Sequence, residues 1–406
     1  ISPIIKIDTL TENDIKVKKE RLLGYSIITF DKDVIMLPYF KLRSMVFALT
    51  ALFLYISIIL IYISGLYIVN PILILRMNVR KISNIISQMI KGEIRVTPSA
   101  LIYNDNIKSR DEIKTLSNEI NNMVNILKGI VPYISASTLQ HSEKGESVSI
   151  EKDLTFLFTD IRGFTTLCEG KEPNEVVTIL NKYLDLETEI ILKNGGDVDK
   201  FVGDEMMAFF DGPKRDENAC RAAMEIRHAM MNEKDIREKE GLPIVDIGIG
   251  INGGPVIFGS MGARDRMDFT SIGDTVNLAA RLEGANKAYG SKSIISEYVY
   301  NSVKDQFLCR ELDFITVKGK NEPVRIFEII QNKNLVNKKL EEIVNLFEDG
   351  LKSYRNMDWN RAIELFSLNW EKYRDAPSKI FIDRISHFKN NPIPENWDGV
   401  FRLTVK

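Results

Sequence analysis

From Ser44 to Val69 the chain carries no charged residue and is dominated by Leu, Ile, Val, Phe, Tyr and Ala. Such a run is long enough to cross a bilayer as a tilted helix, and a core helix of a soluble protein rarely stays uncharged for so long. It divides the chain into two sides that must fold in separate compartments. Lys41 and Arg43 precede the run, while Arg76, Arg80 and Lys81 follow it, which leans toward a cytoplasmic C-terminal side. The expected location is the cell inner (plasma) membrane, with the bulk of the chain in the cytoplasm.

At 406 residues the chain exceeds the usual size of one hydrophobic core. Its net charge of -2 excludes the basic field of a nucleic-acid binder. Cys168, Cys220 and Cys309 lack the spacing of a zinc site or a disulfide framework, so reduced thiols are expected. The sequence starts without Met and in mid-pattern, and is expected to continue upstream. Residues 1–43 then form the end of an extracytoplasmic sensor domain for an unknown ligand, with Tyr25 to Phe30 as one of its strands.

After the apolar run, Pro71 is expected to open a helix whose apolar positions Ile72, Leu75, Val79, Ile82, Ile86 and Met89 alternate steps of three and four. Gly92 ends it. Ser109-Arg-Asp-Glu112 has the form of a capping box for a second helix, with a seam at Ile113, Leu116, Ile120, Met123, Leu127 and Ile130. Two short seams joined by a connector beside a membrane resemble a HAMP domain over residues 70–125, which implies a parallel dimer. Residues 126–150 make a transducing linker.

From residue 151 to 331 strands alternate with helices, the pattern of an α/β domain. Strands are expected at 153–160, 197–202, 205–210, 244–252, 254–260, 292–296, 311–317 and 323–330, with helices at 173–193, 215–237 and 275–289. Asn194-Gly-Gly196 should stop the first of these helices, and Gly203-Asp204 should form a tight hairpin turn. Within residues 335–390, Phe347, Gly350, Tyr354, Trp359, Ala362 and Phe366 resemble one tetratricopeptide-type helical hairpin. A single such repeat must pack on a neighbour or act as a cap. Residues 391–406 form a tail without assigned chemistry.

Three stretches carry the chemistry. Leu154 to Phe158 is an apolar strand that emerges at Asp160, and the Gly163-Phe164-Thr165 turn can aim backbone N–H groups at an anion. Lys200-Phe-Val-Gly-Asp204 repeats a carboxylate at a strand end. Magnesium retains waters and takes one or two protein carboxylates plus phosphate oxygens, which Asp160 and Asp204 can offer if adjacent. Lys200 is either an edge residue with its ammonium in water or a reader of bound ligand. Asn277 and Arg281 lie four apart near the start of a helix, so both reach one ligand.

In this order and spacing, these stretches resemble the catalytic domain of class III nucleotidyl cyclases. The resemblance implies a ferredoxin-like βαββαβ core and an adenylate cyclase that makes 3',5'-cyclic AMP and pyrophosphate from ATP. It implies metal ligation by Asp160, Asp204 and the Ile161 carbonyl, with two Mg2+ per site for which Mn2+ can substitute. It further implies purine selection by Lys200 and Thr270, ribose orientation by Asn277, transition-state stabilisation by Arg281, and triphosphate contacts from Arg264 and Lys320, with Arg266 and Lys318 as neighbours able to take those roles. A lysine donates to adenine N1, and Thr270, standing where the family often has aspartate, accepts from the N6 amine. That pairing matches a Lys/Thr subtype. In the family the metal and purine residues come from opposite subunits, so a homodimer is implied.

Two rivals stand against this. Gly195-Gly-Asp197 superficially matches a diguanylate cyclase signature, but that signature belongs in the hairpin, which here holds Gly203-Asp-Glu205. The other is a catalytically degenerate receptor acting as a dimeric nucleotide-binding signalling module.

Overall fold

The computed structural model describes residues 2–12, 15–26, 31–94, 97–104, 106–107, 111–142, 149–263, 266–316, 323–390, 397 and 400–402. Two units emerge, Ile1–Lys81 with Tyr103–Met123, and Ile82–Ile102 with Val124–Lys406.

The first unit opens with strands β1 (Ser2–Glu12) and β2 (Ile15–Ser26), an antiparallel hairpin in register from Ser2 opposite Ser26 to Glu12 opposite Ile15. The strand expected from Tyr25 onward therefore lies further upstream, and residues 27–30 fall outside the described ones. Helix α1 (Lys32–Ser64) starts where the Asp31 carboxylate accepts from the Asp33 N–H. A π turn (Gly65–Val69) joins it to α2 (Asn70–Ile90), so Pro71 lies inside a continuous helix and does not open a new one. Proline cannot donate to the preceding turn, and its ring crowds the carbonyl four residues back. The wider turn, in which the Asn70 N–H reaches Gly65 O, accommodates both demands. The helical run Lys32–Ile90 is the one helix among the described residues long and apolar enough to cross a membrane. Along α2 only alternate seam positions are buried: Leu75, Ile82 and Met89 are covered, whereas Ile72 and Val79 are exposed. Helix α3 (Glu112–Ile130) is capped by Asp111, which accepts from the Ile113 N–H; Ser109 and Arg110 lie outside the described residues.

In the second unit α4 (Ala136–Ser142) precedes the core: β3 (Ser149–Ile161), α5 (Phe164–Cys168), α6 (Pro173–Lys193), β4 (Gly196–Val202), β5 (Glu205–Phe210), α7 (Arg215–Glu240) and β6 (Ile247–Ala263). There follow β7 (Arg266–Ile272), α8 (Asp274–Tyr289), β8 (Ser293–Ser296), α9 (Glu297–Val303), β9 (Phe307–Thr316) and β10 (Val324–Asn332). Helices α10 (Lys338–Arg355), α11 (Trp359–Tyr373) and α12 (Ala376–Asn390) lead to a short β11 (Phe401–Arg402). The described strands make a nine-stranded sheet ordered β11-β9-β10-β8-β6-β3-β5-β4, with β7 paired to β6. Within it β6-β3-β5-β4 is antiparallel throughout and is the ferredoxin-like arrangement.

Side-chain alternation sorts the core into two layers. From β3, Leu157 and Ile161 join Tyr183 and Ile191 of α6 and Ile226 of α7, while Leu154, Phe156 and Phe158 join Phe209, Phe258, Phe269 and Ala279 on the other face. Two strands expected at 244–252 and 254–260 are one: β6 runs through Gly253-Gly-Pro255 because β3 pairs along its whole length, Leu154 opposite Gly254. Beyond that point β6 also pairs with β7, whose strand the sequence pattern had not indicated. Phe258 and Phe269, 4.8 Å apart, and Phe258 and Phe209, 5.3 Å apart, fasten this ribbon over the sheet.

Helix α8 lies close against the sheet. A Cβ on Gly250 would sit 2.1 Å from the Glu283 amide nitrogen and 2.4 Å from the Ala279 carbonyl oxygen. Because backbone cannot give way as a flexible side chain does, Gly250→Ala is expected to cost about 1–3 kcal/mol or more. A thermal melt unchanged by the substitution would contradict this packing.

The C-terminal helices form a hairpin, α10 on α11, with Phe347 and Phe366 rings 5.3 Å apart. It is not a free-standing repeat. Phe347, Leu351, Tyr354, Phe366, Phe381 and Ile385 share one core with Leu278, Leu282, Ala285 and Tyr289 of α8. Buried ion pairs cross the same junction: Arg310, already paired within the sheet to Glu328 at 2.6 Å, reaches Asp375 at 2.8 Å, and Arg384 reaches Asp313 at 2.6 Å, which also accepts from Tyr289 Oη at 2.6 Å. Trp397 from the tail packs against Tyr354 at 5.4 Å, and β11 pairs with β9.

Candidate active site

Asp160 is the penultimate residue of β3. The β3-β5 register sets Thr159 opposite Met206, which brings Asp160 level with Glu205 beside the two-residue turn Gly203-Asp204. Gly203 at φ 69° takes the left-handed conformation that this turn requires. The two aspartates lie within hydrogen-bonding range, and the Asp160 carboxyl is pushed up to about 6, first by burial and then by Asp204. Glu283 on α8 is raised to about 7 by burial and by Asp160 and Glu205. Beneath the site, burial pushes Glu187 up to about 8 while Thr159 donates a hydrogen bond to it. Arg162 counters these charges, and its guanidinium reaches Asp246 at 3.6 Å.

This donor set suits a hard divalent cation. Carboxylates crowd together and repel and the donors are oxygens, while among the described residues no group of three or more His, Cys, Asp and Glu is placed to hold an ion unaided. A divalent cation held by the two aspartates would have to complete its shell with water or substrate oxygens. A pH dependence follows. Asp160, Glu283 and Glu187 each hold protons in the fold at pH values where the unfolded chain has released them. Stability without metal therefore falls as pH rises from about 4 to about 8. Melting in chelator should decline across that window, and added Mg2+ should stabilise more at about pH 8 than at about pH 5. The opposite ordering would rule out this account of the carboxylates.

A second cluster forms around β4. Thr270 of β7 is buried and donates to Asp199 Oδ2 at 2.9 Å, and the Lys200 ammonium is 3.4 Å from the same oxygen. The folded-over β6-β7 ribbon is what carries Thr270 to β4. Burial raises the Asp199 carboxyl, while Thr270 and Lys200 pull it down. Asn277 and Arg281 share the open side of α8, opposite Leu278 and Leu282 in the core. Among the described residues their side chains make no hydrogen bond or ion pair with either cluster. Ile161 is buried, Gly163 and Thr165 are exposed at the turn into α5, and Phe164 packs against the core. Arg264, Lys318 and Lys320 lie outside the described residues, and the side chain of Arg266 is likewise not described.

Sequence reasoning missed Asp199, Glu187 and Glu283. Glu187 and Glu283 look like ordinary helix-surface glutamates, and only long-range packing turns them toward Asp160. Asp199 did carry a signal, an acid directly beside Lys200 in a strand that also holds Val198, Phe201 and Val202.

A family model described as the adenylate and guanylate cyclase catalytic domain matches residues 147–331. Adenylate cyclase 1 of Rhizobium meliloti is 32% identical over 234 residues, covering 56% of this chain and 35% of the relative. The adenylate cyclase of Anabaena cylindrica is 37% identical over 206 residues, covering 49% of this chain and 40% of the relative. The chain thus spans less than half the length of these curated relatives. Among solved structures, a bacterial light-regulated adenylyl cyclase is 26% identical with a TM-score of 0.51, covering 61% of this chain and 72% of that one. Through residues 147–331 this chain belongs to the adenylate and guanylate cyclase catalytic-domain family.

Proposed function

We propose that the chain is a membrane-anchored adenylate cyclase, active as a homodimer with two shared sites. The observation that carries this reading is the joining of Lys200 and Thr270 through one buried carboxylate, which presents a donor and an acceptor side by side for a purine edge. Lys200 donates to adenine N1 and Thr270 accepts from the N6 amine. Asp160, Asp204 and the Ile161 carbonyl would hold Mg2+, two ions per site, with Mn2+ able to replace it. When bound, the metal supplies acidification of the ribose 3'-hydroxyl and charge neutralisation on the phosphates. The 3'-hydroxyl gives its proton to solvent as its oxygen bonds to the α-phosphorus, the bond from that phosphorus to the bridging oxygen breaks, and pyrophosphate leaves. Asn277 orients the ribose, Arg281 stabilises charge on the equatorial oxygens, and Arg264, Lys320 and the Gly163-Phe164-Thr165 turn meet the triphosphate.

The exposure of Asn277 and of the seam residues Ile72, Val79, Leu116 and Met123 in a single chain supports a second copy as their partner. In this reading residues 70–125 act as a HAMP domain passing a transmembrane signal through the 126–150 linker. Inserting residues there one at a time should swing cyclase output with helical period; output flat with insertion length counts against the coupling. The direct test is incubation of the purified full chain with ATP and Mg2+ or Mn2+, with products separated chromatographically. Cyclic AMP is expected. Nucleotide binding without any cyclic product would favour a degenerate signalling module instead.

A further inference from the structure

A threonine hydroxyl is ambiguous, since it donates one hydrogen bond and accepts others. Taken alone, Thr270 would welcome either the 6-amino group of adenine or the 6-oxo group of guanine. Its proton, however, is committed. It points at Asp199 Oδ2, 2.9 Å away, and the Asp199 side chain is fully buried at 0% exposure. An ionised carboxylate only accepts, so the threonine oxygen turns nothing but lone pairs toward a ligand. The same carboxylate oxygen lies 3.4 Å from the Lys200 ammonium, which places the donor next to the acceptor. Asp199 Oδ1 is buried with no hydrogen-bond partner among the described residues, so the carboxylate's described partners are the two base-reading side chains.

We propose that Asp199 is a positioning residue for base selection: by holding the Thr270 proton and the Lys200 ammonium, it makes the pocket accept at one point and donate at the next. A 6-aminopurine matches that order. A 6-oxopurine inverts it twice, setting its carbonyl oxygen against the lone pairs and its ring N–H against the ammonium. Such a mismatch leaves buried polar groups unpaired, which is how hydrogen-bonding sites reach high discrimination. The inference rests on the cyclase reading above and deepens it.

The test compares kcat/KM for ATP and for GTP in the full chain, wild type against Asp199→Ala, Asp199→Leu and Asp199→Asn. Wild type should favour ATP. Removing the carboxylate should lower the ATP to GTP ratio about tenfold or more, on the order of one lost hydrogen-bond preference. Asp199→Leu fills the space without an acceptor, so a folding loss in the alanine variant leaves the test intact. Asp199→Asn, whose amide oxygen still accepts from Thr270, should keep most of the ratio. A purely structural role would reduce both substrates alike, so an unchanged ratio in the folded alanine or leucine variant overturns the inference while the cyclase reading stands. A wild type that cyclises neither nucleotide, or prefers GTP, overturns both.

Discussion

Asp160→Ala in the full chain is expected to lower cyclase activity by about a thousandfold, the equivalent of ~4 kcal/mol of lost charge stabilisation. Arg281→Ala should lower it by about a hundredfold or more, as removal of a preorganised donor does elsewhere. The larger effect is the recovery on mixing. If one copy supplies the carboxylates and its partner the arginine, a heterodimer of the two variants concentrates both lesions in one site and leaves the other whole. Equal mixing with free exchange should return roughly a quarter of wild-type activity, because about half the dimers are mixed and each has one working site. Co-purification through two different tags establishes that the heterodimer has formed. An inactive confirmed heterodimer would falsify the shared site, leaving the family assignment untouched.

Arg384→Met should unfold the catalytic half of the chain at markedly lower temperature. Arg384 and Asp313 are 8% and 1% exposed, so removing the arginine leaves a buried carboxylate without its counter-charge, its described donors reduced to the Tyr289 hydroxyl and the Phe314 N–H. Breaking a buried pair in this way costs about 3–5 kcal/mol, a fall of roughly ten degrees for a unit of this size. Adding Asp313→Asn should return part of the loss, since the stranded charge is gone while Tyr289 keeps a partner. A chain ended after Val336 should fare worse, because it uncovers Leu278, Leu282 and Tyr289 on the helix that presents Asn277 and Arg281. Low solubility and loss of cyclisation are expected. A truncated chain as soluble and as active as the parent would show that the C-terminal helices are separable after all.

Much of the core is legible in the sequence because its signals are local. The apolar run from Leu154 that emerges at Asp160, the helix stop at Asn194-Gly-Gly196 and the turn at Gly203-Asp204 each need only neighbouring residues, and the structure bears all three out. The errors lie where distant partners decide. Gly253-Gly-Pro255 has the composition of a turn, yet pairing with β3 keeps it extended. Pro71 looks like a helix start, and a π turn absorbs it. The adjacency of Asp160 and Asp204 could be expected from two strand ends, but the link between Thr270 and Asp199 depends on a ribbon folded across a sheet face, which no local pattern encodes.

The unbroken course of β6 has a consequence for where this chain can be lengthened. Insertion tolerance follows the hydrogen bonding and burial of the backbone rather than the look of the sequence. At Gly253 and Gly254 the strand is paired to Thr155 and Leu154, and a Cβ on Gly253 would press on the Tyr298 ring at 2.8 Å. A one-residue addition there would slip the register and turn every later side chain of β6 to the opposite face, taking Phe258 out of its core and β7 with it. The segment that looks most like a spare loop is thus among the least able to accommodate an extra residue.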